Sequence, residues 1–315
     1  MSLSYSRIVG TGSYLPSRIV SNAELAASID TSDAWIKSMT GIVQRHIAGD
    51  GESTTDMAVI ASSRALANAG VQASAIDLVI VATITPDLVF PSTAALLQAR
   101  LGARNVGAVD LSAACSGFMY GLAMADAMIA SGRIRTALVV GAETMSRLLD
   151  WTDRSTCVLF GDGAAAVVLV SASAPGVASV RLHADGATPE VLCTPSKKSR
   201  FLHMEGGPVF KFAVKGLVEA GQETLDDNGV SADAVDWLIP HQANQRIIDA
   251  CAHKLCIARD KVVVTVDRHA NTSAASIPLA LDFAVADGRI RAGNTVLLLS
   301  VGGGFTWAGA LIKWS

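Results

Sequence analysis

Charge is scarce in this sequence. Of 315 residues only 17% are Asp, Glu, Lys or Arg, the net charge is -3, and the mean hydropathy is +0.40. A chain so balanced and so poor in cations has no footprint for nucleic acid. Its one basic tract, Lys197-Lys198-Ser199-Arg200, sits among Thr, Pro and Ser and reads as a solvated loop. Long apolar runs are missing as well. The nearest to a membrane span, Ala164 to Val180, is broken by Ser171, Ser173, Pro175 and Gly176, so no membrane insertion is expected. Ser, Tyr and Arg near the N-terminus stand where a signal peptide would have its apolar stretch, and no signal peptide is expected. The five cysteines are an odd number without framework spacing, which argues against a disulfide scaffold and for a reducing, cytoplasmic setting. Cys251, His253 and Cys256 lie close together, but a five-residue step on a helix turns the two sulfurs off one face, and no metal is expected. Gly10-Thr11-Gly12 lacks the third glycine of a dinucleotide fingerprint.

What the chain does contain is a duplication. Gly132-Arg133-Ile134-Arg135 matches Gly288-Arg289-Ile290-Arg291, and that alignment drops Cys115 onto Asn271. Upstream, Ala69-Gly70-Val71 leading through Ile76-Asp77 into an apolar run matches Asn228-Gly229-Val230 leading through Val235-Asp236 into another, at nearly the same offset. The length suits one large duplicated domain, with halves expected at 1–172 and 173–315. Half the residues are hydrophobic, enough for a large core and for an apolar subunit interface.

Short apolar runs predict strands at Ser6–Val9, Leu78–Thr83, Val106–Asp110, Ala137–Val140, Ala164–Val170, Trp237–Ile239, Val262–Val266, Thr295–Ser300 and Ala308–Lys313. Helices are expected at Thr54–Ala69, Ser116–Ser131, Phe210–Asn228 and Ser273–Ala286, each closing at or before a glycine. The alternation is that of an α/β fold with mainly parallel sheets covered on both faces. Done twice, it gives five layers, αβαβα. The helices after Cys115 and Asn271 are rich in small and apolar residues, as helices buried on all sides should be. Residues 30–53 and 184–210 read as long irregular connections and as candidate walls of a substrate channel.

Cys115 follows a strand and a small-residue turn and opens a helix, where the helix dipole stabilises a thiolate; an inert buried cysteine is the other reading. His241, after Ile239-Pro240, projects from the carboxyl end of a strand, the usual ligand edge of α/β sheets. Asn271 precedes a Thr-Ser helix start and reads either as a cap or as a catalytic amide. Gly302-Gly303-Gly304 follows a strand and offers either a plain turn or close backbone donors for an oxyanion. For Gly161-Asp162-Gly163 the plain turn is the preferred reading.

Six stretches carry a resemblance that covers essentially the whole chain. They are Thr31-Ser32-Asp33-Ala34-Trp35-Ile36, the run Asp110 to Phe118 around Cys115, Phe160-Gly161-Asp162-Gly163-Ala164, Ile239 to Asn244, His269-Ala270-Asn271-Thr272-Ser273, and Gly302 to Trp307. With them the chain resembles the thiolase-fold condensing enzymes, and most closely the β-ketoacyl-acyl carrier protein synthase III family. The resemblance implies a duplicated thiolase-like fold. It implies decarboxylative condensation of a short acyl-CoA, acetyl-CoA first, with malonyl-acyl carrier protein, to initiate type II fatty acid synthesis. An acyltransferase or condensing enzyme of a specialised pathway is the alternative. The family's triad falls on Cys115, His241 and Asn271, and its oxyanion donors on the amides of Cys115 and Gly303. Trp35 and Arg154 match the pair that holds the CoA adenine. Met204, Gly206 and Asn244 match the pantetheine tunnel, and Phe90 the residue closing the primer pocket from the partner of a homodimer. Lys211, Arg246 and Lys254 match the basic surface for the carrier protein. No cofactor is implied beyond the coenzyme A thioester, which is substrate. The chain departs from the family at Met39, where an arginine is usual, and at Glu205 and Gly207 beside the tunnel.

Overall fold

A computed structural model of the chain describes residues 5–195 and 199–315. Lys197 and Lys198 of the basic tract lie outside the described residues.

Two sheets organise the molecule. The first has five strands in the order Tyr5–Tyr14, Asp162–Ala172, Thr136–Thr144, Leu78–Ala82, Gly107–Leu111. The second has four, in the order Trp237–Pro240, Thr295–Gly302, Thr306–Lys313, Val177–Ala184. Continuous apolar strands result because both faces are covered. Along Leu78–Ala82, Leu78 and Ile80 join the core between the sheets, while Val79 and Val81 join the core under the outer helices. Val296 and Leu298 likewise face inward, and Leu297 and Leu299 outward. This is the period of two in side-chain direction expressed in two separate cores.

The helices Thr54–Ala69 and Thr93–Leu101 cover the outside of the first sheet. Gly206–Asn228 covers the outside of the second, with Gln245–Lys254 packed on it. Gly117–Ala130 and Ser276–Ala286 lie between the sheets. The five expected layers are therefore present. Each central helix carries one acid, Asp126 and Asp282, at positions the repeat superimposes. Both are satisfied from the same strand. Ser6 donates to Asp126 at 2.7 Å, and Thr11 and Ser13 donate to Asp282 at 2.6 and 2.5 Å.

Several sequence expectations are corrected. The sheets are mixed, not mainly parallel. Thr136–Thr144 and Tyr5–Tyr14 both run antiparallel to Asp162–Ala172, and Thr306–Lys313 is antiparallel to both its neighbours. The last residues of the broken apolar run Ala164 to Val180 belong to an edge strand, Val177–Ala184. The expected strand Val262–Val266 contributes a single bridge, Leu238 to Val262. Its ladder is replaced by one side chain. Gln242 accepts from the amides of Thr265 and Val266 at 2.8 and 3.1 Å and donates to Pro240 and Val263 carbonyls at 2.7 and 3.2 Å. The chain can then turn helical at Val266–His269. The 30–53 connection is ordered: Asp33–Thr40 is a helix capped by Ser32, and Gln44–Ile47 pairs with Arg18–Ser21. In 184–210, His203–Met204 pairs with Leu192–Cys193.

Candidate active site

Strand Gly107–Leu111 delivers the chain to a tight turn ahead of the helix Gly117–Ala130. The turn is a single 3-10 segment, Ala114–Ser116, with Ala114 at φ 48°. An L-residue takes that conformation only when the surroundings enforce it, at a cost of about 1–3 kcal/mol. Here Thr306 donates to the Ala113 carbonyl at 3.0 Å, and Ser116 donates to the Thr306 carbonyl at 3.1 Å. The turn is thus pinned to the second sheet with Cys115 at its tip. The sulfur does sit before a helix, but the expectation of an easily ionised thiol is corrected. Burial pushes the thiol up to about 12; the Ser273 hydroxyl and the residue's own amide pull the other way without compensating. Desolvation is the largest cause, the Glu143 carboxylate adds to it, and the resting group is a neutral thiol.

The matched turn of the other half is Ser273–Ala275, preceding Ser276–Ala286. Asn271 lies just before it, held by its amide to the Leu159 carbonyl at 2.9 Å and by its carbonyl to the Gly161 amide at 3.0 Å. Its side-chain oxygen accepts from the Ser273 amide at 2.9 Å. Asn271 is therefore a turn asparagine, and the same bond fixes which way its NH2 group points. Ala270 at φ 57° and Ser273 at φ 50° flank it. Strained backbone thus precedes Cys115 and flanks Asn271.

The two turns interlock reciprocally. A Cβ on Gly141 of the first sheet would stand 2.4 Å from the Ala274 carbonyl, and one on Gly302 of the second 2.7 Å from the Cys115 amide nitrogen. Glycine is required at both places because backbone rests on backbone. Gly161-Asp162-Gly163 is more than a plain turn: buried Asp162 accepts from Ser146 and Ala48 and ties the floor together.

His241 leaves Trp237–Pro240 into the same cavity and is 2% exposed. Burial lowers its pKa to about 3, so the imidazole is neutral across the physiological range. Its Nδ1 is 2.6 Å from the Ser276 hydroxyl. Cys115, His241, Asn271 and the Gly302-Gly303-Gly304 turn all line one cavity of about 1100 Å³. Among the described residues, no turn, loop or cap carbonyl takes the Gly303 amide.

Sequence reasoning missed Glu143, which is fully buried beside this cluster and accepts from Ser273 at 3.0 Å. Its only sequence signal was a lone acid in an apolar strand.

Of the expected binding residues, Trp35, Arg154, Met204, Gly206, Asn244, Lys211 and Arg246 line the cavity. The Arg154 guanidinium lies 5.4 Å from the Trp35 ring centroid and bonds the Asp30 carbonyl at 2.8 Å. Two stacking separations of about 3.5 Å each would be needed to admit a ring between them, so Arg154 must swing outward to do so. Asn244 caps Gln245–Lys254 through Arg246 and donates to the Met39 carbonyl at 3.1 Å. Lys254 lies outside the cavity, sharing an adjoining depression with Lys211 and Lys215. Phe90 does not enter the cavity of its own chain and is 84% exposed. Cys251 is buried and Cys256 exposed.

Two family descriptions match the chain: 3-oxoacyl-[acyl-carrier-protein (ACP)] synthase III over residues 109–186, and its C-terminal part over residues 225–314. The β-ketoacyl-[acyl-carrier-protein] synthase III of Xanthomonas campestris pv. campestris is 54% identical over 320 residues, 98% of each chain. That of Paramagnetospirillum magneticum is 55% identical over 319 residues, again 98% of each. The crystal structure of 3-oxoacyl-[acyl-carrier-protein] synthase III from Aquifex aeolicus VF5 has a TM-score of 0.96 at 45% identity, covering 98% of this chain and 100% of that one.

Proposed function

The chain belongs to the β-ketoacyl-acyl carrier protein synthase III family, and on that premise we propose how its residues perform the family's decarboxylative Claisen condensation. A short acyl-CoA and malonyl-acyl carrier protein give 3-oxoacyl-acyl carrier protein, the initiating step of type II fatty acid synthesis. Cys115 is the nucleophile that takes the acyl group. The amides of Cys115 and Gly303 hold the oxyanion. His241 and Asn271 then donate to the malonyl thioester oxygen as carbon dioxide leaves and the carbanion attacks the acyl-cysteine. The scheme takes the tautomer in which Ser276 donates to Nδ1 and His241 carries its proton on Nε2. The observation that carries this reading is the pair of neutral, tethered donors opposite the cysteine: a buried imidazole and an amide whose oxygen is already engaged. A neutral imidazole or amide is a very weak acid, so it stabilises a developing enolate by hydrogen bonding without quenching it by proton transfer. Carbon dioxide release from malonyl-acyl carrier protein, dependent on acyl-CoA for condensation, is the direct assay. Its absence would refute the assignment. The scheme draws on no cofactor beyond the thioester.

The cavity accounts for the substrate arm. A Cβ at Gly206 or Gly207 would meet nothing within 4 Å, so packing does not demand glycine there; a ligand running past Met204 and Gly206 gives the reason. Lys211, Arg246 and Lys254, joined by Lys215, form the proposed carrier-protein surface. The halves 1–172 and 173–315 are proposed as the two copies of the repeat. Among the described residues no helix is long and apolar enough to cross a membrane, and we place the enzyme in the cytoplasm.

A homodimer is proposed from the first sheet's free edge. Val109 on its last strand is exposed, as are Leu88, Val89 and Phe90. Phe90 would close the partner's primer pocket and limit it to short chains, because a phenyl ring fills the volume a longer acyl group needs. Phe90→Thr is expected to extend activity to longer or branched acyl-CoA, measured as kcat/KM across chain lengths. A wild-type preference for an eight-carbon primer over acetyl-CoA would refute this.

Met39 lines the cavity and is partly exposed. An arginine there would add a charge-assisted bond to a CoA phosphate, reduced by solvent to about 1 kcal/mol. Met39→Arg should lower the acetyl-CoA KM several-fold at low salt, with less gain at high salt. The KM for malonyl-carrier protein should not move, since its phosphopantetheine lacks the adenosine part. An unchanged acetyl-CoA KM at low salt would mean that another cation already serves the phosphate.

A further inference from the structure

Glu143 has no part in the scheme above. It is the penultimate residue of the strand Thr136–Thr144 and is 0% exposed. One carboxylate oxygen accepts from Thr85 at 2.6 Å, the Ile84 amide at 3.1 Å and Thr83 at 3.2 Å. The other accepts from the Ser273 hydroxyl at 3.0 Å. Among the described residues no Lys, Arg or His pairs with it. A carboxyl group buried among neutral donors is costly when charged; an amide would avoid that cost but could accept on one side only, with Ser273 turned to accept from its NH2 group. What the acid adds is the capacity to take a proton.

Ser273 connects it to the chemistry. Its hydroxyl lies against the Cys115 thiol and favours the thiolate. Its backbone is held at φ 50°, a conformation the fold must enforce. Thr83, Ile84, Ser273 and Cys115 all border the cavity.

We propose that Ser273 and Glu143 form a proton relay for Cys115, an inference that rests on Cys115 being the acyl acceptor. As the sulfur attacks the thioester carbonyl, the S–H bond breaks and its electron pair forms the new S–C bond. The proton passes to the Ser273 oxygen while that oxygen's own proton passes to Glu143. When the tetrahedral intermediate collapses and the bond to the CoA sulfur breaks, the relay runs backward and protonates the departing thiolate. Ser273 touches the reacting atom. Glu143 acts through it and is a positioning residue for the proton.

Burial raises the carboxyl to about 7 and lowers His241 to about 3. Of the two buried acceptors, Glu143 is much the stronger base. The Thr83–Thr85 segment, the Ser273 turn and the Cys115 turn present to it hydroxyls, one amide and, as titratable group, the Cys115 thiol. Its folded pKa lies above the ordinary carboxylate value, so the active, ionised form accumulates as pH rises through about 7.

The test is single-turnover transfer of radiolabelled acetyl from acetyl-CoA to the full-length protein, with CoA release, from about pH 5.5 to 9. Wild type should speed up with pH around an inflection near 7. Glu143→Gln keeps a hydrogen-bonding partner for Ser273 but cannot accept a proton; it should acylate about 100-fold more slowly, with that inflection gone. Ser273→Ala should show a similar loss, and the double variant no further loss, as for groups acting as a unit. Unchanged melting temperatures exclude misfolding, and Ser273→Ala stands as the second probe if Glu143→Gln fails to fold. Glu143→Gln acylating within about threefold of wild type overturns the relay. So does a loss that leaves the inflection in place, because that loss is structural. Wild type labelling no better than Cys115→Ala would instead refute the nucleophile assignment and leave the relay without a subject.

Discussion

Cys115→Ala takes up no acetyl group from acetyl-CoA and forms no 3-oxoacyl product. The expected fall in condensation is on the order of 10⁶, the scale seen when a covalent nucleophile is removed from an enzyme whose other groups act only with it. Misfolding would not be the cause. The sulfur borders an open cavity, so deleting it leaves little new void, and the destabilisation should be about 1 kcal/mol. In a chain of this size that moves the melting temperature by only about 2–4 °C. The donors for decarboxylation remain: His241 is tethered to Ser276 and Asn271 to the Ser273 amide, neither through the sulfur. Slow carbon dioxide release from malonyl-carrier protein should therefore persist. Measuring label transfer, product and carbon dioxide on one preparation checks all three. A variant that still carries label would show that another residue is the acyl acceptor.

The sequence carried the layers and the positions of the three proposed catalytic residues more clearly than it carried their environment. Continuous apolar strands and small-residue helices are strong local patterns, and they located both sheets and both central helices. Strand direction is not local. Antiparallel neighbours such as Thr136–Thr144 and Asp162–Ala172 leave no mark that separates them from parallel ones once both faces are buried. Val177–Ala184 escaped because an edge strand, half exposed, breaks the apolar run. Val262–Val266 was misread because the Gln242 amide takes over backbone bonds that a ladder would have made, and no period reveals such a substitution. The repeat suggested shared chemistry by aligning Cys115 with Asn271, although the matched turns Ala114–Ser116 and Ser273–Ala275 put Asn271 just before the counterpart of Cys115. It could not show that the thiol would be held neutral. That follows from desolvation at a turn locked by Thr306, residues distant in sequence. Glu143 was invisible for the same reason: its importance lies in what surrounds it.

Removing either donor should separate the two half-reactions. Asn271→Ala and His241→Ala are expected to keep part of their self-acylation and to lose condensation, each by about 10²–10³, the loss typical of one oxyanion donor. The division follows from which atoms are free. The Asn271 oxygen is occupied by the Ser273 amide, so only its NH2 group can face a substrate, and it can only donate. Donation matters most when the malonyl thioester becomes an enolate, and that charge does not exist during acyl transfer to Cys115. Asn271→Asp sharpens the argument. The aspartate can keep the bond to Ser273, so the turn and its strained neighbours should survive. Its second oxygen, when ionised, then replaces a donor with a negatively charged acceptor at the point where negative charge develops. Condensation by Asn271→Asp should therefore fall at least as far as in Asn271→Ala, despite the closer match in shape. A cavity-filling role for Asn271 predicts the reverse order, with the near-isosteric aspartate outperforming alanine. Radiolabelled acetyl transfer run beside a condensation assay distinguishes them, and Asn271→Ala condensing near the wild-type rate would remove Asn271 from the triad.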